Sequence, residues 1–413
     1  MIHFSRFVLS NGLRVLVHED ASTPMAVVNV LYDVGARDED PSRTGFAHLF
    51  EHLMFGGSIN IPEYDDELQK AGGENNAYTT NDLTNYYCQL PTANIETAFW
   101  LESDRMLSLA FSKKSLEVQR KVVCEEFKEH YINKPYGDVW FKMREMAYER
   151  HPYRWMTIGK ELSHIENASL NDVKSFFFKH YTPNNAILVV AGNIVAEQVY
   201  ELSEKWFGSI PAGIKYERNI VQEVSQDAPV RMDITADVPV DAFLKTWHMP
   251  SRMDPRYYAV DLITDILGSG ASSRLYQAMV KEQQLFTNID CYHYGSTDAG
   301  LICIDGKLVK GVSPEAAEAA VNQLLDLFKA EGVSVSELEK VKNKTESTMA
   351  FEDMSVMNRA ASLAYYELLG DANLMNTELS KYHEVSADEI LRESRIIFNE
   401  NNSHTLYYRA GKK

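Results

Sequence analysis

No window of this 413-residue chain approaches the ~18 to 20 consecutive apolar residues that a membrane-spanning helix needs, which excludes that class of helix. Basic residues are scarce. Lysine and arginine number 41 against 59 aspartates and glutamates, for a formal charge of −18, so the basic footprint on which nucleic-acid binding rests is missing. An acidic surface would suit a cationic peptide substrate, and it also simply keeps a protein in solution. Cysteine is sparse: Cys88, Cys124, Cys291 and Cys303 stand far apart with no CxxC pair, which signals neither a disulfide framework nor a thiolate metal site. Most of them are expected to be buried apolar residues. Low-complexity and Pro/Gly-rich tracts are absent too, and 45% hydrophobic with 24% charged residues is the composition of an ordered globular protein. The N-terminus, MIHFSRFVLSNGLRV, lacks the basic, apolar and small-residue order of a signal peptide, so the chain as it stands is expected in the cytoplasm.

What is present divides into two. A single hydrophobic core seldom serves more than roughly 250 to 300 residues, so two domains are expected. The chain opens with a hairpin, Arg6–Leu9 and Arg14–His18 around Ser10-Asn11-Gly12, because Asn-Gly between apolar runs favours a tight turn. Ala26–Val34 reads as a buried strand and Gly45–Phe55 as a helix. Tyr78–Leu90 reads as one strand, followed by helices over Ile95–Leu109 and Lys114–His130. A strand at Ala186–Ala191 and a helix at Ala196–Phe207 precede an aperiodic stretch with prolines at both ends. The second half then repeats the first. Ser169-Leu-Asn-Asp-Val ahead of Tyr181-Thr-Pro-Asn184-Asn185 parallels Ser386-Ala-Asp-Glu-Ile ahead of Phe398-Asn-Glu-Asn401-Asn402, in one register, 217 residues apart. The expected fold is α+β, two duplicated domains, each a mostly antiparallel sheet packed with helices. Residues 1–212 would form the metal-bearing domain, 213–228 a linker, and 229–413 the duplicated non-catalytic domain.

His48-Leu49-Phe50-Glu51-His52 carries the chemistry. On a helix, residues three and four apart share a face. His48 and His52 can therefore grip one divalent ion, with the Glu51 carboxylate on the same side, the outline of a metal-assisted hydrolase. The second-half counterpart near Tyr257–Leu267 reads Asp-Leu-Ile-Thr-Asp-Ile-Leu and has no histidine. Two histidines leave a catalytic zinc short of its usual three protein ligands. The helix Leu116–Glu126 could supply the third: an apolar stripe at Leu116, Val122 and Val123 would dock it, with Glu126 facing inward.

These residues, with Gly72-Gly73-Glu74-Asn75-Asn76-Ala77-Tyr78-Thr79, Arg120-Lys121-Val122-Val123-Cys124-Glu125-Glu126, and Tyr181-Thr182-Pro183-Asn184-Asn185-Ala186 running into Val189-Val190-Ala191-Gly192-Asn193, resemble the insulinase/pitrilysin family of inverted (HxxEH) zinc metallopeptidases. In length the chain is most similar to the bacterial processing-peptidase-like subgroup. The resemblance spans essentially the whole chain. It implies a zinc-dependent endopeptidase that holds one Zn2+ per chain through His48, His52 and Glu126, with Glu51 as general base. Glu125 and Glu129 are the rivals of Glu126; Glu125 points ~100° away around the helix, whereas Glu129 shares its face. In the family the strand Asn76-Ala77-Tyr78-Thr79 pairs with an extended, unfolded peptide substrate, so recognition reads backbone more than side chains.

The chain departs from the family pattern at two places. A supporting glutamate seven residues before the third ligand is replaced by Gln119, which can accept a hydrogen bond but carries no charge. An Arg and, seven residues on, a Tyr that hold substrate in many members fall in register on Lys281 and Asn288, which lack the guanidinium fork and the phenol. Two-chain members divide these parts, one subunit holding zinc and the other the Arg/Tyr pair. The expectation is a zinc-bearing subunit of a clam-shell dimer, homodimeric or heterodimeric with an Arg/Tyr-bearing partner. The alternative is a non-catalytic peptide-binding or scaffold subunit of the same family.

Overall fold

Two twisted sheets with the same strand order organise the chain. The computed structural model describes residues 1–411. The first sheet comprises β1 (Ser5–Val8), β2 (Arg14–Glu19), β3 (Met25–Tyr32), β4 (Glu74–Thr79), β5 (Thr84–Pro91) and β6 (Ala186–Gly192), in the order β1-β2-β6-β3-β5-β4. The second comprises β7 (Val230–Ala236), β8 (Ala242–Met249), β9 (Phe286–Tyr294), β10 (Gly300–Leu308) and β11 (Ser403–Ala410), in the order β7-β11-β8-β10-β9. With β1 set aside, the two orders superimpose strand for strand. Each sheet has one parallel pair, β2 with β6 and β11 with β7, and is otherwise antiparallel. This is the α+β duplication that the sequence predicts.

The repeat is exact in chemistry as well as topology. Ser169 caps the helix Leu170–His180 by accepting from Asp172 N, and Asp172 returns the bond to Ser169 N. Ser386 and Glu389 form the same reciprocal capping box ahead of the helix Ala387–Ile397. At the far end, Asn185 Nδ2 donates to His180 O and Asn402 Nδ2 to Ile397 O, so the second Asn of each Asn-Asn pair closes its helix and turns the chain into a strand.

In the first sheet β3 and β6 are buried at nearly every residue, so both faces there are covered, and the chain supplies cover to each sheet by exchange. One compact unit is made of Met1–Glu129, Trp155–Val221 and Ala350–Thr377; the other takes His130–Arg154, Gln222–Met349 and the chain from Glu378 onward. The division between Val221 and Gln222 falls inside the expected linker, but the units are not the uninterrupted stretches 1–212 and 229–413. The helix Val356–Leu368, from late in the chain, buries Ala360, Leu363 and Ala364 against Leu16, Val27, Leu31, Ile187 and Val189 of the first sheet. The helix Val139–Ala147, from the first half, buries Met143 and Ala147 against Leu244, Leu301, Cys303 and Leu406 of the second. Periodicity gives a helix its apolar face but not the sheet that face will meet.

Two local expectations change. Tyr78–Leu90 is a hairpin, not one strand: β4 and β5 pair antiparallel, and the Thr80 side chain accepts from Asp82 N and Leu83 N to make the turn. In the helix Lys113–Phe127 the docked stripe is Leu116, Val123 and Phe127, while Val122 is exposed, because it lies one residue, about 100°, around from Val123. All four cysteines are buried and free.

Candidate metal centre

The helix Phe46–Leu53 turns Phe46, Ala47, Leu49, Phe50 and Leu53 into the core and leaves His48, Glu51 and His52 together on its half-buried side. It enters through Gly45 in the left-handed region (φ 89°), where a Cβ would stand 2.6 Å from Ile158 O. Behind it, the helix Lys113–Phe127 starts at the Ser112 cap and is pinned when Ser115 Oγ donates to Gly56 O at 3.2 Å, just past the motif helix. That docking carries Glu126 to the histidines. Its Oε2 lies 3.7 Å from His48 Nε2 and 3.5 Å from His52 Nε2. One ligand atom from each of the three residues lies within 4.8 Å of the others, and no other such group occurs among the described residues. Ligands ~2.0 to 2.2 Å from a tetrahedral ion stand roughly 3.3 to 3.6 Å apart, so the donor set fits a zinc-sized cation.

Electrostatics agree with that fit. Burial, with some help from the neighbouring His52, pushes His48 down to about 4, so its imidazole is neutral and offers a lone pair at neutral pH. Burial raises the Glu51 carboxyl above its ordinary range, opposed by the hydrogen bond from Thr79 and by His52, and Glu126 adds to the rise. Thr79 Oγ1 donates to Glu51 Oε2 at 2.7 Å, fixing the carboxylate.

Other residues singled out in the sequence fall as follows. Glu125 points away and pairs with Lys128 at 2.8 Å. Glu129 is exposed, because the helix gives way at Lys128–Ile132 to a wider π-type turn that breaks the shared face. Gln119 lies two turns before Glu126, half-buried, and among the described residues no hydrogen bond joins it to the three clustered side chains. Asn76, Ala77, Tyr78 and Thr79 lie in β4, which among the described residues pairs only with β5 and so presents an open sheet edge. Asn76 and Tyr78 are exposed, Ala77 and Thr79 half-buried, and Ala77 N donates to the Asn76 side chain. Thr79 is thus tied to Glu51, a link that the sequence reading missed because a strand residue and a helix residue 28 apart carry no mutual signal. Lys281 and Asn288 belong to the second unit. The Lys281 ammonium lies 5.5 Å over the Tyr276 ring, and Asn288 pairs with Lys307 across β9 and β10.

In the counterpart helix Tyr257–Gly268, Asp261, Thr264 and Asp265 repeat the spacing of His48, Glu51 and His52. Protein groups occupy them: His293 Nε2 lies 2.8 Å from Asp261 Oδ1, the Tyr382 hydroxyl bonds to Asp261 Oδ2, and Lys344 Nζ lies 2.9 Å from Asp265 Oδ1.

Residues 14–158 match the model of the insulinase (peptidase M16) family, and residues 167–345 match that of the peptidase M16 inactive domain. The chain is 28% identical over 408 residues to the zinc protease PqqE of Helicobacter pylori, covering 97% of this chain and 91% of that one. It is 29% identical over 206 residues to the mitochondrial-processing peptidase subunit beta of Saccharomyces cerevisiae, covering 49% and 44%. The crystal structure of a protease from Helicobacter pylori superimposes with a TM-score of 0.92 at 27% identity, over 99% of this chain and 100% of that one. With both halves matched in order and the whole fold shared, the chain belongs to the insulinase (M16) peptidase family.

Proposed function

We propose that this protein is a zinc metalloendopeptidase acting on unfolded peptides, and that it works as the zinc-bearing subunit of a two-chain assembly. The observation that carries the reading is the convergence of His48 Nε2, His52 Nε2 and Glu126 Oε2 beside the carboxylate of Glu51. The three donors would hold one Zn2+. When bound, zinc supplies Lewis acidity, which polarises a carbonyl and makes water a usable nucleophile near pH ~7. Everything else falls to the chain's own groups. Glu51, held by Thr79, would take a proton from the attacking water and return it to the leaving amine nitrogen. Its buried setting raises its basicity toward that task. The open edge of β4 supports binding an extended peptide by strand addition, with Asn76 and Ala77 exchanging their local bond for bonds to substrate backbone.

The two-chain part rests on what stands at Lys281 and Asn288, where no guanidinium and no phenol is available to hold a developing oxyanion. A partner subunit of the same family bearing that Arg/Tyr pair would complete the site. The test is zinc content and cleavage of a quenched peptide library by wild type and by Glu51→Gln, each with and without such a partner. Glu51→Gln is expected to retain zinc and lose roughly 10²- to 10⁴-fold in kcat. Zinc-free wild type from a metal-replete preparation would sink the site. Full activity that no partner raises would sink the two-chain assignment.

A further inference from the structure

The helix carrying His48, Glu51 and His52 begins without a cap of its own, since Gly45 at its N-cap has no side chain. The first N–H groups of a helix nonetheless need acceptors. Glu39 provides them from six residues upstream: Oε2 accepts from Gly45 N and Oε1 from Ala47 N, both at 2.8 Å. Glu39 is buried, with 6% of its surface exposed, immediately after the 3-10 turn Ala36–Asp38. That turn is itself anchored. Trp155 Nε1 donates to Ala36 O at 2.8 Å, Arg218 Nε donates to Asp38 Oδ1 at 2.7 Å, and Asp38 Oδ2 accepts from Gly35 N at 3.0 Å. Burial pushes the Glu39 carboxyl up to about 8 against the pull of its N–H donors. An ionisable group is thus kept where the fold disfavours its charge, on the amides that open the metal helix.

A physical argument ties this to the metal centre. His48 Nδ1 is buried and has no hydrogen-bond partner among the described residues, although the second ring nitrogen of a metal-binding histidine is usually oriented by an acceptor. With that restraint missing, the aim of the imidazole depends on the backbone that carries it, and Glu39 fixes that backbone one residue before His48.

We propose that Glu39 is the positioning residue of the metal centre, setting the helix that presents His48 and His52. This rests on the metallopeptidase reading. The test compares full-length wild type, Glu39→Gln, Glu39→Ala and, as a control for general destabilisation, Val189→Ala, which opens the core beneath the helix Val356–Leu368. Zinc affinity is measured by competition with a chromogenic chelator, ligand geometry by the visible spectrum of the cobalt-loaded protein, and helix anchoring by amide exchange over residues 45–49 without metal. Glu39→Ala is expected to weaken zinc binding by roughly 10- to 100-fold, shift the cobalt bands and unprotect those amides. Glu39→Gln, which keeps one acceptor oxygen, is expected to fall between it and wild type, and Val189→Ala to leave all three readouts in place. Unchanged affinity and spectra in both Glu39 variants would overturn the assignment, as would an equal loss in Val189→Ala. Wild type that binds neither metal would overturn the metal reading itself, whereas unchanged amide protection in Glu39→Ala would overturn the role of Glu39 alone.

Discussion

The motif helix Phe46–Leu53 and its counterpart Tyr257–Gly268 each pack on the edge strand of their sheet, β4 in one case and β9 in the other. At the same spacing the first offers His48, Glu51 and His52, and the second Asp261, Thr264 and Asp265. The difference lies in what meets them. Glu126 brings a third donor to the histidines, so the cluster is short of a positive charge. Lys344 brings an ammonium to Asp265, and His293 and Tyr382 saturate Asp261, so the second cluster is already balanced by the protein. One duplicated frame thus gathers three possible metal donors in one half and a hydrogen-bonded network of protein groups in the other. The change rests on a few side chains and leaves the strand order intact.

The sharpest way to break this comparison is to remove one matching residue from each helix. His52→Ala is expected to lower zinc affinity by more than the roughly 10- to 100-fold typical of a supporting residue, because it deletes a direct ligand. Asp265→Ala is expected to leave zinc affinity unchanged, since Lys344 loses a partner near the surface and no donor is lost. Chelator competition on both variants decides it, and equal losses would show that the second helix also serves the metal.

A smaller effect tests the reciprocal cover of the two sheets. Leu363→Ala in the helix over the first sheet and Met143→Ala in the helix over the second each remove a fully buried side chain, and each is expected to cost about 2 to 5 kcal/mol. Denaturant titration gives the size, and amide exchange shows which sheet loosens. Loss of protection in β2, β3 and β6 is expected for Leu363→Ala, and in β8, β10 and β11 for Met143→Ala. The reverse assignment would refute the exchange of helices.

The smallest effect is in pH dependence and belongs to the second unit. Glu318 is opposed by burial, but hydrogen bonds from Arg231, Lys245 and Tyr407 prevail and hold its carboxyl down to about 2. Its folded-state value is therefore below the ordinary carboxylate range. The stabilisation it gives is complete above about pH 4.5 and is lost as pH falls from there toward 2. Glu318→Gln should flatten that acid limb in a pH series of melting temperatures, and an unchanged limb would reassign it to other carboxylates.

Much of this was legible in the residues. The HxxEH spacing placed His48, Glu51 and His52 on one face, and the Ser169 and Ser386 signals with their Asn-Asn partners revealed the repeat, because capping boxes and helix stops are local chemistry. Other features were hidden for a common reason. The turn between β4 and β5 was read through because Thr80-Asn81-Asp82 interrupts a run whose apolar residues resume at once. The exposure of Val122, the tie from Thr79 to Glu51 and the cap from Glu39 each depend on which elements meet. Only the glycine at the N-cap hinted that an acceptor must arrive from elsewhere.

By itself, then, the sequence determined the kinds of elements, the duplication and the donor types, since periodicity, capping and side-chain chemistry act over a few residues. Tertiary structure alone decided that Glu126 rather than Glu125 or Glu129 meets the histidines, that Lys344 meets Asp265 on the counterpart helix, and that each sheet takes a covering helix from the other part of the chain. Those outcomes are set by packing between segments far apart in sequence, where a single turn of helix or one residue of register changes which side chains touch.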